Sequence, residues 1–119
     1  MKIIVAYRGK ETDKDLLELA VKHAKAFDGM VFLITSMRGG EDIELKEFTR
    51  AEDKLEKANY IFEKQGVNIE IRLLVRGLSA GEDLVNFSKE IKADQIIIRA
   101  KSRSKVGKLI FGSTAQFVI

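Results

Sequence analysis

The sequence predicts an α/β fold: an open parallel sheet with helices on both faces. Two observations carry that prediction. Apolar runs of strand length alternate with longer segments whose apolar residues recur at helical spacing. The resulting order, β-α-β-α-β-α-β-α, requires parallel strands joined by right-handed helical crossovers.

Taken in order, residues 2–7 form a near-continuous apolar run, as expected of a strand covered on both faces. Thr12 or Asp13 is placed to cap the helix that follows, because a short side-chain oxygen accepts an orphan backbone N–H. Leu16, Leu17, Ala20, Val21, Ala24 and Phe27 repeat at helical spacing, and Asp28-Gly29 ends that helix. Residues 30–34 are a second buried strand, with Thr35 near its end. Met37-Arg38-Gly39-Gly40 reads as a flexible break. A long charged helix over residues 41–64, carrying Ile43, Leu45, Phe48, Leu55, Ala58, Ile61 and Phe62, is expected to end at Gly66. Residues 67–75 form the third strand, with partial alternation. Gly77-Leu78-Ser79 turns into a helix bearing Leu84, Val85, Phe87 and Ile91, and residues 95–99 are the fourth strand. A polar, basic loop follows, and Gly112-Ser113-Thr114 then opens a short apolar segment read as a last helix.

The chain has 119 residues, read as one domain spanning 1–119. Hydrophobic residues make up 45% and charged residues 33%, ordinary proportions for a globular protein with a charged surface. No stretch approaches the ~20 apolar residues of a membrane span, so no membrane partner is expected. The absence of cysteine removes disulfides and thiolate chemistry and agrees with a cytoplasmic location. Net charge is only +3, yet Arg99, Lys101, Arg103, Lys105 and Lys108 fall within ten residues and no acid follows Asp94. The charge is therefore focused at one end of the chain. No metal cluster, nucleophile elbow, Walker loop or paired-carboxylate arrangement is legible, so no catalytic residue is named and the protein is read as not an enzyme.

Ligands of open α/β sheets bind beyond the carboxyl ends of the strands, where the strand order reverses. The loops after the first and fourth strands, at Tyr7-Arg8-Gly9 and Arg99-Ala100, would share that crest if the two strands are neighbours. The Gly112-Ser113-Thr114 segment reads either as a phosphate-binding helix start or as an ordinary N-cap.

At this point the chain resembles the universal stress protein family over nearly its whole length. The resemblance rests on Lys2-Ile-Ile-Val-Ala6, on residues 76–98, and on Arg103-Ser104 with Val106-Gly107-Lys108-Leu109-Ile110-Phe111-Gly112-Ser113. It implies a Rossmann-like sheet of strand order 3-2-1-4, and that the family's usual fifth strand is absent from this chain. The edge of the fourth strand and the apolar Phe117, Val118 and Ile119 would then be left for a homodimer or another protein partner.

The ATP-binding branch of that family has two early glycines in its loop before the final Gly-Ser. Counted back from Gly112-Ser113, those positions hold Arg99 and Ser102. Where such members tend to carry an aspartate at the end of the first strand, this chain has Arg8, which can only donate hydrogen bonds. Thr35 falls where the family presents a residue beside adenine. The leading functional expectation is therefore a non-catalytic stress-response domain acting through protein association. The alternative is binding of ATP or another adenine nucleotide, or of phosphate, with Arg8, Arg99, Lys101, Ser102, Arg103, Gly107, Gly112, Ser113, Thr114 and Thr35 as site residues and cations replacing glycines. Weak nucleic-acid binding through the basic crest ranks last.

Overall fold

The computed structural model describes residues 1–9, 13–37, 39, 45–98, 108–111 and 116–118. Its elements are β1 (Lys2–Ala6), α1 (Lys14–Phe27), β2 (Met30–Met37), α2 (Leu45–Lys64), β3 (Asn68–Val75), α3 (Ala80–Ile91), β4 (Gln95–Ile98), β5 (Lys108–Phe111) and β6 (Gln116–Val118).

The strands form one sheet of order β3-β2-β1-β4-β5-β6. The first four are mutually parallel, and β1 pairs with both β2 and β4, as in Ile4↔Phe32 and Ile4↔Ile96. The order 3-2-1-4 and the reversal between β1 and β4 are thus as expected. Continuous apolar runs made β1 and β4 central: Ile3, Ile4, Val5, Ile96 and Ile97 are all buried. Alternate residues of β1 feed the two faces. Ile3 and Val5 join Leu16, Leu17, Ala20 and Ala24 of α1 and Leu55, Ala58 and Phe62 of α2 in one cluster. Ile4 joins Phe32, Ile34, Ile96 and Phe87 of α3 on the other face. Each fully buried large aliphatic side chain contributes roughly 1.5–3 kcal/mol.

The local signals had definite structural meanings. Ser79 caps α3 by accepting from the backbone N–H of Glu82, while its hydroxyl donates to the Glu82 carboxylate at 2.8 Å. α1 ends with Asp28 in the left-handed region at φ 51°. Gly29 serves a different purpose: a Cβ there would lie 2.6 Å from Cδ1 of Ile3, so the glycine lets the chain pass close under β1.

Three expectations are corrected. Asp13 stands at the N-cap of α1, but its side chain makes no capping bond and turns to the β1 loop instead. Thr35, Ser36 and Met37 continue β2, because β3 runs alongside as far as Met37↔Val75. The largest correction lies beyond β4. Where a basic loop and a helix were expected, Lys108–Phe111 and Gln116–Val118 are strands, with β5 antiparallel to β4 and β6 antiparallel to β5. An uncovered β4 would leave a row of unpaired backbone groups, and branched and aromatic residues suit the strand that satisfies them. The sheet therefore does not stop at four parallel strands, and the β4 edge expected to meet a partner is occupied by β5.

Candidate functional site

The carboxyl ends of β1, β2 and β3 form a crest whose described part is built by side chains reaching across loops. Beyond β1 the ladder continues for one residue, Tyr7 N–H donating to the Ile34 carbonyl at 2.8 Å. The Thr35 hydroxyl then donates to the Tyr7 carbonyl at 2.8 Å, and the Arg8 N–H donates to Oδ2 of Asp13 at 2.9 Å. These bonds fix the backbone from which the exposed Arg8 side chain projects. Among the described residues Arg8 has no ion-pair partner.

Asp13 is 1% exposed, and its Oδ1 has no hydrogen-bond partner among the described residues. A buried carboxylate raises the cost of a second negative charge nearby. Burial first, and the charge of Asp13 second, hold the Tyr7 phenol above its ordinary ionisation range.

Gly9 follows at φ +75°, and a Cβ on it would lie 2.4 Å from Cδ of Lys54. The stem of Lys54, a residue of α2, thus lies directly on the crest loop. No sequence motif pointed to Lys54, since its neighbour on the loop is 45 positions away and helical spacing alone gives it a surface place.

On the β2–β3 side, Asp83 in the first turn of α3 is fully buried and fully engaged. The Ser36 hydroxyl donates to its Oδ2 at 2.6 Å, Arg76 Nε donates to its Oδ1 at 2.5 Å, and Arg76 Nη2 donates to its backbone carbonyl at 3.1 Å. Arg76 Nη1 also reaches Glu90 at 2.6 Å, and the guanidinium lies 5.9 Å from the Phe87 ring centre. Donating to the carboxylates of Glu90 and then Asp83 raises its pKa further. The Ser36–Asp83 pair is therefore a brace and no activated nucleophile, because the carboxylate that could take the proton is held by Arg76.

Of the expected site residues, Arg8 and Thr35 come together across the ends of β1 and β2. The hydroxyl proton of Thr35 is committed to Tyr7, which leaves the oxygen as an acceptor. Arg99, Lys101, Ser102, Arg103, Gly107, Gly112, Ser113 and Thr114 lie outside the described residues. Among the described residues no group of three His, Cys, Asp or Glu side chains converges as a metal site. His23 bonds through Nε2 to Oε1 of Gln95, with its ring 4.7 Å from that of Phe27. No described helix is long and apolar enough to cross a membrane. The described crest can thus present cations and hydrogen-bonding groups to an anion.

Comparison with known proteins agrees with this architecture. The Universal stress protein family matches residues 1–119. A universal stress protein of Mycolicibacterium smegmatis is 28% identical over 114 residues, covering 96% of this chain and 85% of the relative. The structure of a universal stress protein from Archaeoglobus fulgidus superposes with a TM-score of 0.80 at 35% identity, over 97% of this chain and 87% of the other. An Archaeoglobus fulgidus universal stress protein in complex with dAMP gives a TM-score of 0.76 at 31% identity, over 82% of this chain and 79% of the other.

Proposed function

Because this chain belongs to the universal stress protein family, we propose that it is a non-catalytic stress-response domain whose crest binds an adenine nucleotide, with cations in place of the family's early loop glycines. The observation that carries the reading is Arg8: an exposed guanidinium without an ion partner among the described residues, on a backbone fixed by Asp13 and Thr35 at the reversal point of the sheet. Arginine grips phosphate through two parallel N–H donors, so Arg8, standing where ATP-binding members tend to carry an aspartate, can add a phosphate contact to those of the basic loop. The dAMP complex of the Archaeoglobus fulgidus relative supports the choice of ligand class.

Calorimetry with dAMP, AMP, adenosine and inorganic phosphate, at low and moderate salt, tests this. Saturable binding that needs both the adenine and the phosphate is expected, and Arg8→Gln should weaken it about tenfold, the order of one charge-assisted hydrogen bond. Equal binding of every anion, abolished by salt, would reduce the crest to an electrostatic patch.

A second reading, association with another copy or a protein partner, draws on a different feature. β3 is an eight-residue strand at the end of the sheet, with one edge unpaired among the described residues and Val75 38% exposed. Such edges invite strand addition. Light scattering across a concentration series should then show a homodimer, and a monomer throughout would remove this reading for the isolated chain.

A further inference from the structure

α2 is longer than the sheet it covers. Its core-facing stripe is Leu55, Ala58 and Phe62, and by helical periodicity Ala51 and Phe48 continue the same stripe. Leu55 lies beside Ile71 and Leu73, near the end of β3 at Val75. Phe48 is seven residues, roughly 10 Å, further along the axis. The helix runs antiparallel to the strands it joins, so this overhang stands at their carboxyl ends, on the crest side. In residues 45–54 no side chain is fully buried, and Leu45 is 80% exposed. Phe48 and Ala51 nevertheless remain half-buried, in line with the core-facing stripe. At the base of the overhang, the Lys54 stem lies on Gly9, which follows Arg8 in the crest loop, so its ammonium is carried within a few bonds of that loop. Like Arg8, Lys54 has no ion partner among the described residues.

We infer that the overhanging turns of α2 are the side wall of the crest site, with Phe48 packing against the base of a mononucleotide and Lys54 neutralising its phosphate. This rests on the nucleotide reading above and adds to it the two groups that would select the ligand. Phe48 is not among the side chains packed in or against the two core clusters, and a flat, apolar base is a fitting cover for the surface it leaves open. Arg8 and Lys54, one carried by the crest loop and the other lying on it, mark the end at which an anionic group would lie. The wall is short, with one aromatic and one alanine. That suits a single base and is far less than the area a docked protein segment requires.

The test separates base from phosphate. The wild type, Phe48→Ala and Lys54→Met are titrated with AMP, adenosine and inorganic phosphate, with thermal unfolding as the check of fold. Phe48→Ala should weaken AMP and adenosine alike by about tenfold, the loss of one base–aromatic stack, and leave phosphate binding unchanged. Lys54→Met should weaken AMP and phosphate, spare adenosine and flatten the salt dependence of AMP binding. In wild type with labelled phenylalanine, the Phe48 ring resonances should shift with AMP and stay in place with phosphate. Wild type that binds AMP while neither variant changes any affinity, or while the Phe48 ring signals do not move, overturns the wall and leaves the nucleotide reading standing. Loss of affinity for all three ligands in Phe48→Ala, with the fold intact, would also overturn it, by showing that the ring only shapes the loop. Wild type that binds none of the three refutes both readings.

Discussion

Tyr7 links the core to the crest, and its environment makes a pH dependence. Burial and the charge of Asp13 oppose its ionisation in the folded chain, whereas the unfolded phenol ionises near its ordinary value of 10.0. The stabilisation tied to the neutral phenol is therefore fully present below about pH 10 and is lost as pH rises through the higher folded value. Urea unfolding at about pH 8 and about pH 11 should show a smaller alkaline loss for Tyr7→Phe than for wild type. Equal losses would place the alkaline sensitivity elsewhere. Gly9 is under two constraints at once. Gly9→Ala should destabilise by about 1–2 kcal/mol from the left-handed backbone alone, and by more from the collision with Lys54. In a Lys54→Ala background the collision disappears and the backbone term stays. The cost of Gly9→Ala should then fall without vanishing, as read from denaturant midpoints.

At the scale of elements, the brace around Asp83 fastens α3 to β2 and to the turn after β3. Asp83 is fully buried while Arg76 is 31% exposed at its side chain, so the acid depends on its partner more than the reverse. Arg76→Met should cost about 3 kcal/mol, the lower end of the range for stranding a buried charge, because water can reach the vacated side. Adding Asp83→Asn removes the stranded charge and should recover part of the loss in a double-mutant cycle. A purely additive cycle would mean that the pair is not coupled. The exposed Glu70–Arg72 pair of β3, 2.7 Å apart, should show little by the same measurement.

For the whole molecule, β5 covers the edge of β4, the three-residue β6 ends the sheet on that side and the eight-residue β3 ends the other. A chain cut after Gly107 would uncover the edge of β4 and should self-associate more strongly than the full chain in light scattering. No difference between them would show that β5 contributes little as a cover. The two ends of the sheet are thus unequal, which is why any association is assigned to β3.

The sequence by itself determined the alternation of strands and helices, the buried status of the central strands and the turn at Gly77-Leu78-Ser79 that opens α3. All of these are local: a period of two or 3.6, or a turn and its helix, is contained in a few neighbouring residues. The resemblance in residues 2–6, 76–98 and 103–113 added the strand order 3-2-1-4. Other features had to wait for the tertiary structure. Lys54 meets Gly9 across 45 positions, and Ser36 meets Asp83 across 47. Asp13 could cap a helix or hold a loop, and its residue type suits both. The apolar residues after Gly107 suit helix and strand alike, and the unpaired edge of β4 decided between them. Local periodicity shows which face of an element is apolar, but contacts made across loops decide which partner that face meets.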